Sequence, residues 1–225
     1  MASESKSFPS TVLSRTEAVS PATAWLQIAV AYFFIMAAVW TPDGPLKLAW
    51  MSLAAVCILL FTASGRYSIR ELGIGMPPAA GTVRILTAGV VMAAAVPLIA
   101  MLLHTNLGPV RPLSWHGAWQ YFIWALLQQF ILQSFFYLRF ESLLGSRRAV
   151  VITAAVFAAA HIPSPVLTCA TFLGGLFFCE MFRRYRNICP LGAVHALLGV
   201  MVATSFSDAI LHHMHVGIGY LSFHP

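Results

Sequence analysis

The chain has 225 residues, of which 59% are hydrophobic and only 9% charged, with a mean hydropathy of +0.80. That composition excludes a soluble globular domain and predicts a polytopic membrane protein. The formal charge of +6 is no nucleic-acid footprint, because the basic residues lie in short loops between apolar runs, as membrane topology demands.

Residues 1–22 are polar and Ser-rich, and read as a disordered cytosolic tail rather than a signal peptide, because no basic patch runs directly into an apolar core. A first span is expected from Thr23 to Trp40, ended by the turn Thr41–Pro45, and a second from Leu46 to Ser64. The Gly- and Pro-bearing stretch from Gly65 to Val83 reads as an interfacial loop. A third span follows from Arg84 to His104, then a loop closing on Trp115 and His116 at the membrane interface. These N-terminal spans make up residues 23–116.

The apolar run from Gly117 to Leu138 is the fourth span, and it contains Gln128, Gln129 and Gln133. Each amide needs hydrogen-bond partners in hydrocarbon. Adjacent residues point about 100° apart on a helix, so this one must present polar groups in two directions and sit inside a bundle. Its end, RFESLLGSRR, reads as amphipathic. The fifth span, Arg148 to His161, is short and Ala-rich; the sixth runs from Val166 to Phe182 and the seventh from Ile188 to Ser205. Glu180 is expected to pair with Arg183 and Arg184, three and four residues on. Residues 206–225 are apolar but His-rich, and form either a short eighth span or an interfacial segment. Asp208, His212 and His215 would share one helix face there; an interfacial polar face is favoured over metal binding, and no metal site is assigned. Cys57, Cys169, Cys179 and Cys189 read as small apolar residues. The fold class is thus an all-α membrane helix bundle of seven to eight spans.

With the N-terminus inside, eleven of the thirteen basic residues fall on one side, leaving only Lys47 and Arg111 on the other. This places the N-terminus in the cytoplasm, with a bacterial inner membrane expected. At about 1.5 Å per residue, His195 lies about 10 Å from the cytoplasmic end of its span, Gln128 about 16 Å and His161 about 20 Å. These side chains are expected to converge on one buried polar chamber.

The ordered set of Phe157, three alanines and His161, Gly145, and the run CPLGAVHALLG with His195 resembles the CPBP family, the CAAX-protease and bacteriocin-processing intramembrane endopeptidases. The resemblance covers residues 117–205. The family's Glu-Glu-x-x-x-Arg motif falls, by its usual spacing, on Gln128, Gln129 and Gln133, and an Asn often found four residues after the last histidine falls on Gly199. In the family the first glutamate is thought to activate water, with the histidines supporting it. An amide accepts no proton near neutral pH, so Gln128 is no general base. Two anions and one cation have become three neutral amides of similar length, which removes every buried charge together.

The resemblance implies an endopeptidase site formed by His161, His195, Gln128, Gln129 and Gln133, acting on prenylated or other membrane peptides. The residue chemistry favours a non-catalytic relative that holds a lipid, an isoprenoid or a partner's helix as a binding or assembly subunit. A pigment-holding subunit, with haem or a chlorophyll-type group on the histidines, is a third class. Expected partners are the lipid bilayer and a membrane peptide or partner membrane subunit, with no nucleic acid; no cofactor is assigned.

Overall fold

The structure is a computed structural model, and it describes residues 19–76, 79–105 and 114–223. The described residues form helices and turns, with no strand among them. The tail up to residue 18 and the loop bearing Arg111 lie outside the described residues.

Helices α1 (Pro21–Val39) and α2 (Pro45–Ser64) each begin with a proline at the first helical position. Proline costs least there, where no intrahelical N–H is needed. They pack on each other as a hairpin. Helix α3 (Ala79–Leu102) starts earlier than the sequence suggests, taking in Ala79 to Val83. It packs along α8 (Ile188–Ser205).

The central element begins as α4 (Trp115–Gln129), widens into a π-helical stretch (Phe130–Tyr137) and returns to α geometry as α5 (Leu138–Leu144). Such wider turns are uncommon and tend to mark functional segments. Here the stretch begins immediately after the paired glutamines. All residues from Leu132 to Phe140 are buried, so this helix is enclosed on every side, as its polar residues require. Gly145 then turns the chain with φ +81°. An L side chain rarely adopts that conformation, which glycine takes without steric cost. Helix α6 (Ser146–Ala159) and α7 (Pro165–Tyr185) pack against each other as the most extensive pair in the bundle.

Among the described residues, six helical stretches are long and apolar enough to cross a bilayer: α1, α2, α3, α4 through α5, α7 and α8. This is one or two fewer than the sequence count, and the reasons are local. At 14 residues, α6 covers about 21 Å and is shorter than these six, although it runs from the Glu141–Arg186 end of the bundle to the Ile162–Gly217 end. Residues after Ser205 break into the short turns α9 (Asp208–Leu211), a 3-10 turn (His212–Met214) and α10 (Ile218–Leu221). They lie across one end of the bundle and form no span. The chain is a multi-pass integral membrane protein.

The two ends of the bundle are separately tied. At one end, Gly217 donates its N–H to the carbonyl of Ile162 at 2.9 Å, and Ser207 donates to Thr105 at 3.0 Å. At the other, Ile188 donates to the Gly73 carbonyl at 2.9 Å and the Asn187 amide to Gly75 at 2.7 Å. There Arg186 also pairs with Glu141 at 2.5 Å, and Glu180 holds Arg183 at 2.8 Å and Arg184 at 2.5 Å. The latter pairs are those the i+3 and i+4 spacing predicts. The aromatic core of Phe135, Tyr137, Phe140 and Phe182 fills this arginine-rich half.

Candidate functional site: a neutral chamber of amides and imidazoles

Gln129 and Gln133 are fully buried, while Gln128 is half-buried on the other side of the same turn. Gln133 Nε2 donates to Gln129 Oε1 at 3.2 Å, and Gln129 Nε2 lies 3.1 Å from His195 Nδ1. The amide relay therefore runs one way: Gln133 gives to Gln129, which gives to the imidazole. An Nδ1 that accepts leaves the proton of the neutral ring on Nε2. His195 can thus donate to a ligand but not accept from one. Gln133 also approaches the buried Cys179 Sγ at 3.7 Å, while its Oε1 has no partner among the described residues.

His161 has the opposite polarity. Its Nδ1 lies 2.8 Å from the carbonyl of Phe157, one turn back. A carbonyl only accepts, so Nδ1 carries the proton, and Nε2 of the neutral ring is an acceptor. The Phe157 ring stands edge-on to both imidazoles, with centroids 4.9 Å from His161 and 5.8 Å from His195. The phenylalanine of the Phe-x-x-x-His motif thus separates and orients two histidines of complementary hydrogen-bonding sense.

Both imidazoles and Gln128 line a cavity of about 720 Å³. That volume lies within the range of small-molecule sites. Its walls are otherwise mainly apolar, including Ile35, Ile58, Ile131 and Leu198. Gln129 and Gln133 stand behind the wall, outside the lining. The five sequence candidates therefore divide: Gln128, His161 and His195 face the cavity, while Gln129 and Gln133 hold His195.

One lining residue escapes a reading based on motifs. Tyr121, on α4, also lines the cavity. A Cβ added to Gly199 would collide with its hydroxyl. Glycine one turn after His195 is what lets this phenol approach α8. The signal in the sequence is the pair of departures, a glycine on α8 and a tyrosine two turns before Gln128, which carries meaning only once the helices are paired. Arg139 is a second surprise. The sequence places it in an amphipathic cytoplasmic end, but it is 2% exposed. It donates from Nε to Gln27 Oε1 at 2.9 Å, from Nη1 to the Phe135 carbonyl at 3.1 Å and from Nη2 to the Phe61 carbonyl at 2.8 Å, and lies 3.9 Å over the Phe135 ring. No carboxylate appears among these partners. The central helix is enclosed from Leu132 to Phe140, so its arginine is satisfied by carbonyls, an amide and an aromatic face.

The tail histidines do not share one helix face. His212, His213 and Met214 all have positive φ, which ends α9 after Leu211. His212 stacks on Tyr220 at 4.0 Å between centroids, and His213 pairs with Asp208 at 2.9 Å. Among the described residues, no three His, Cys, Asp or Glu side chains gather as a metal site.

Residues 111–201 match the family model of Rce1-like type II CAAX prenyl endopeptidases. This match is consistent with the CPBP resemblance of residues 117–205. The match runs from just before α4 into α8, and so takes in all five glutamine and histidine candidates. No curated protein matches the chain. Within the matched residues, His161 and His195 stand beside the neutral amides Gln128, Gln129 and Gln133.

Proposed function

We propose that this CPBP-type membrane protein binds a membrane-borne peptide in its chamber and does not cleave it. The observation that carries the reading is the complementary pair of imidazoles. A peptide unit has one acceptor and one donor. His195 offers Nε2–H to the carbonyl, His161 offers Nε2 to the N–H, and the Gln128 amide can supply either. An apolar chamber desolvates the peptide unit, so such paired hydrogen bonds are what compensate its burial.

Hydrolysis needs a base strong enough to deprotonate water at the carbonyl. Gln128 provides none, and the relay through Gln129 leaves His195 with no lone pair to offer. The protein then serves as a binding or assembly subunit that retains a peptide, in a cytoplasm-facing orientation of its arginine-rich end.

A second reading rests on His161. Its free Nε2 is a base in principle, and a donating His195 resembles an oxyanion stabiliser. The two readings separate by comparing protein termini in native membranes from wild type and His161→Ala. Identical termini are expected, with peptide cross-linking to the chamber lost in the mutant. Specific termini that vanish with His161 would make the protein a protease without the family's glutamates. The triple change Gln128→Glu, Gln129→Glu and Gln133→Arg restores the family's charges and is expected to introduce cleavage of bound peptides.

A further inference from the structure

The wall that α4 and α8 form carries one polar group that neither the packing nor the amide relay uses. Tyr121 lines the cavity about 9 Å past the start of α4. Its hydroxyl has no hydrogen-bond partner among the described residues. A phenylalanine would fill the same space without the cost of an O–H group in an apolar cavity, a cost that ends only when an acceptor reaches the group. Nor is the ring an interfacial anchor with its hydroxyl turned to the headgroups, because the oxygen lies against α8.

Gly199 fixes where that oxygen stands. A Cβ built on Gly199 would meet it, so the phenol takes the place that a side chain at position 199 would take. Position 199 lies one turn beyond His195 on the same face of α8, about 6 Å along the helix axis, and both residues line the cavity. Toward the arginine-rich end the chamber is closed by the fully buried Phe135, Tyr137, Phe140 and Phe182. At the opposite end its lining reaches Asp43 and Lys47. Two donors therefore stand in a row on a mainly apolar wall: His195 Nε2–H, the deeper one, and the Tyr121 hydroxyl one turn nearer the rim. Carbonyls on one side of an extended chain recur every second residue, at about 6.7 Å, close to the spacing of this row. In a helix all but the last four carbonyls are bonded internally, so a helical occupant would leave both donors without acceptors.

We infer that Tyr121 is a ligand-contacting residue that, with His195, selects an extended segment over a helical one: His195 donates to one carbonyl and the Tyr121 hydroxyl to the carbonyl two residues away. Gly199 is the residue that makes room for this second donor. The peptide occupant rests on the proposed function; the second donor and its spacing rest on Tyr121 and Gly199.

The test is a binding series with a fluorescent apolar hexapeptide and the full chain in nanodiscs. One carbonyl oxygen at a time is replaced by sulfur, which weakens the acceptor and keeps the N–H. With the wild type, two such positions, two residues apart, are expected to weaken binding by about tenfold each. Tyr121→Phe is expected to bind the parent peptide about tenfold more weakly, to keep one sensitive position and lose the other, and to show an unchanged thermal midpoint. Equal binding by wild type and Tyr121→Phe, or two positions still sensitive in Tyr121→Phe, overturns the inference and leaves the proposed function standing. A midpoint lowered by loss of the hydroxyl also overturns it, since the group then has a partner inside the protein. Failure of the wild type to bind any of the peptides overturns the proposed function, and this inference with it. Should Tyr121→Phe fail to accumulate, two double variants replace it. Tyr121→Leu with Gly199→Asn returns an N–H donor from α8 and is expected to bind like the wild type, whereas Tyr121→Leu with Gly199→Ala, which has no donor there, binds about tenfold more weakly. Equal binding by those two overturns the inference.

Discussion

The two halves of this bundle are built on opposite principles. In the arginine-rich half, aromatic side chains fill the space between helices and charged residues are paired at the end of the bundle. In the other half, the same helices diverge around a cavity of about 720 Å³ whose deepest polar groups are all neutral. Packing density is worth several kcal/mol in a core, so a cavity of this size beside a filled core represents stability given up where a ligand can replace it. Charge follows the same division. The filled half tolerates the buried cation Arg139 because three fixed acceptors surround it, whereas the open half has imidazoles and amides in its depth and keeps the charged Asp43 and Lys47 at its rim.

The largest expected effect comes from breaking the filled half. Arg139→Met removes the cation, takes the donor from the Gln27 amide oxygen and removes one donor each from the Phe135 and Phe61 carbonyls. It should lower stability by about 3 kcal/mol, seen as a clear fall in the thermal midpoint of detergent-solubilised protein. Arg139→Lys should recover only part of this, because an ammonium cannot copy the planar fork. An unchanged midpoint for Arg139→Met would show that the two halves are not built differently in the way described.

Overfilling the open half tests it next. Gly199→Val forces a side chain into the place of the Tyr121 hydroxyl and should cost about 1–3 kcal/mol. Tyr121→Leu in the same chain should restore most of that loss, because the phenol is the clashing group. A midpoint that falls further in the double variant would argue against the Gly199–Tyr121 fit.

At the boundary between the halves, Gln129→Leu breaks the relay behind the chamber wall and should cost about 1–2 kcal/mol, since Gln133 Nε2 and His195 Nδ1 both lose a partner. It also frees His195 to change tautomer. Nitrogen chemical shifts of the His195 ring would report the change, and a ring that stays protonated on Nε2 alone would contradict the assigned direction of the relay. The smallest effect belongs to the half-buried ion pairs at the bundle end: Glu180→Gln should shift stability by less than about 1 kcal/mol, measured by the same thermal scan.

Much of the fold was legible without coordinates. Length and apolarity located five of the spans to within a few residues, and the third to within about five. The enclosure of the Gln128–Gln133 helix follows from its polarity in two directions, and Phe157 with His161 was marked by the motif. The fifth and eighth spans were not settled by composition. α6 is shorter than the other long helices though it runs between the two ends of the bundle, and positive φ at His212 to Met214 breaks the helix that a regular i, i+4, i+7 spacing suggests. Among the site candidates, residue type gave the neutrality of the chamber. It did not divide Gln128, which faces the cavity, from Gln129 and Gln133, which hold His195 from behind.

What the sequence by itself determined is the solvent and the chemistry. An apolar chain with few charges must lie in lipid, and the amides of Gln128, Gln129 and Gln133 accept no proton near neutral pH whatever the geometry. Only the tertiary structure decided the polarity of the two histidines, the meeting of Tyr121 with Gly199, the burial of Arg139 and the end at which the chamber opens. Each of these depends on which helix faces which. Helix pairing in a bilayer is set by close packing and side-chain hydrogen bonds between distant residues, and no local pattern of apolarity records it.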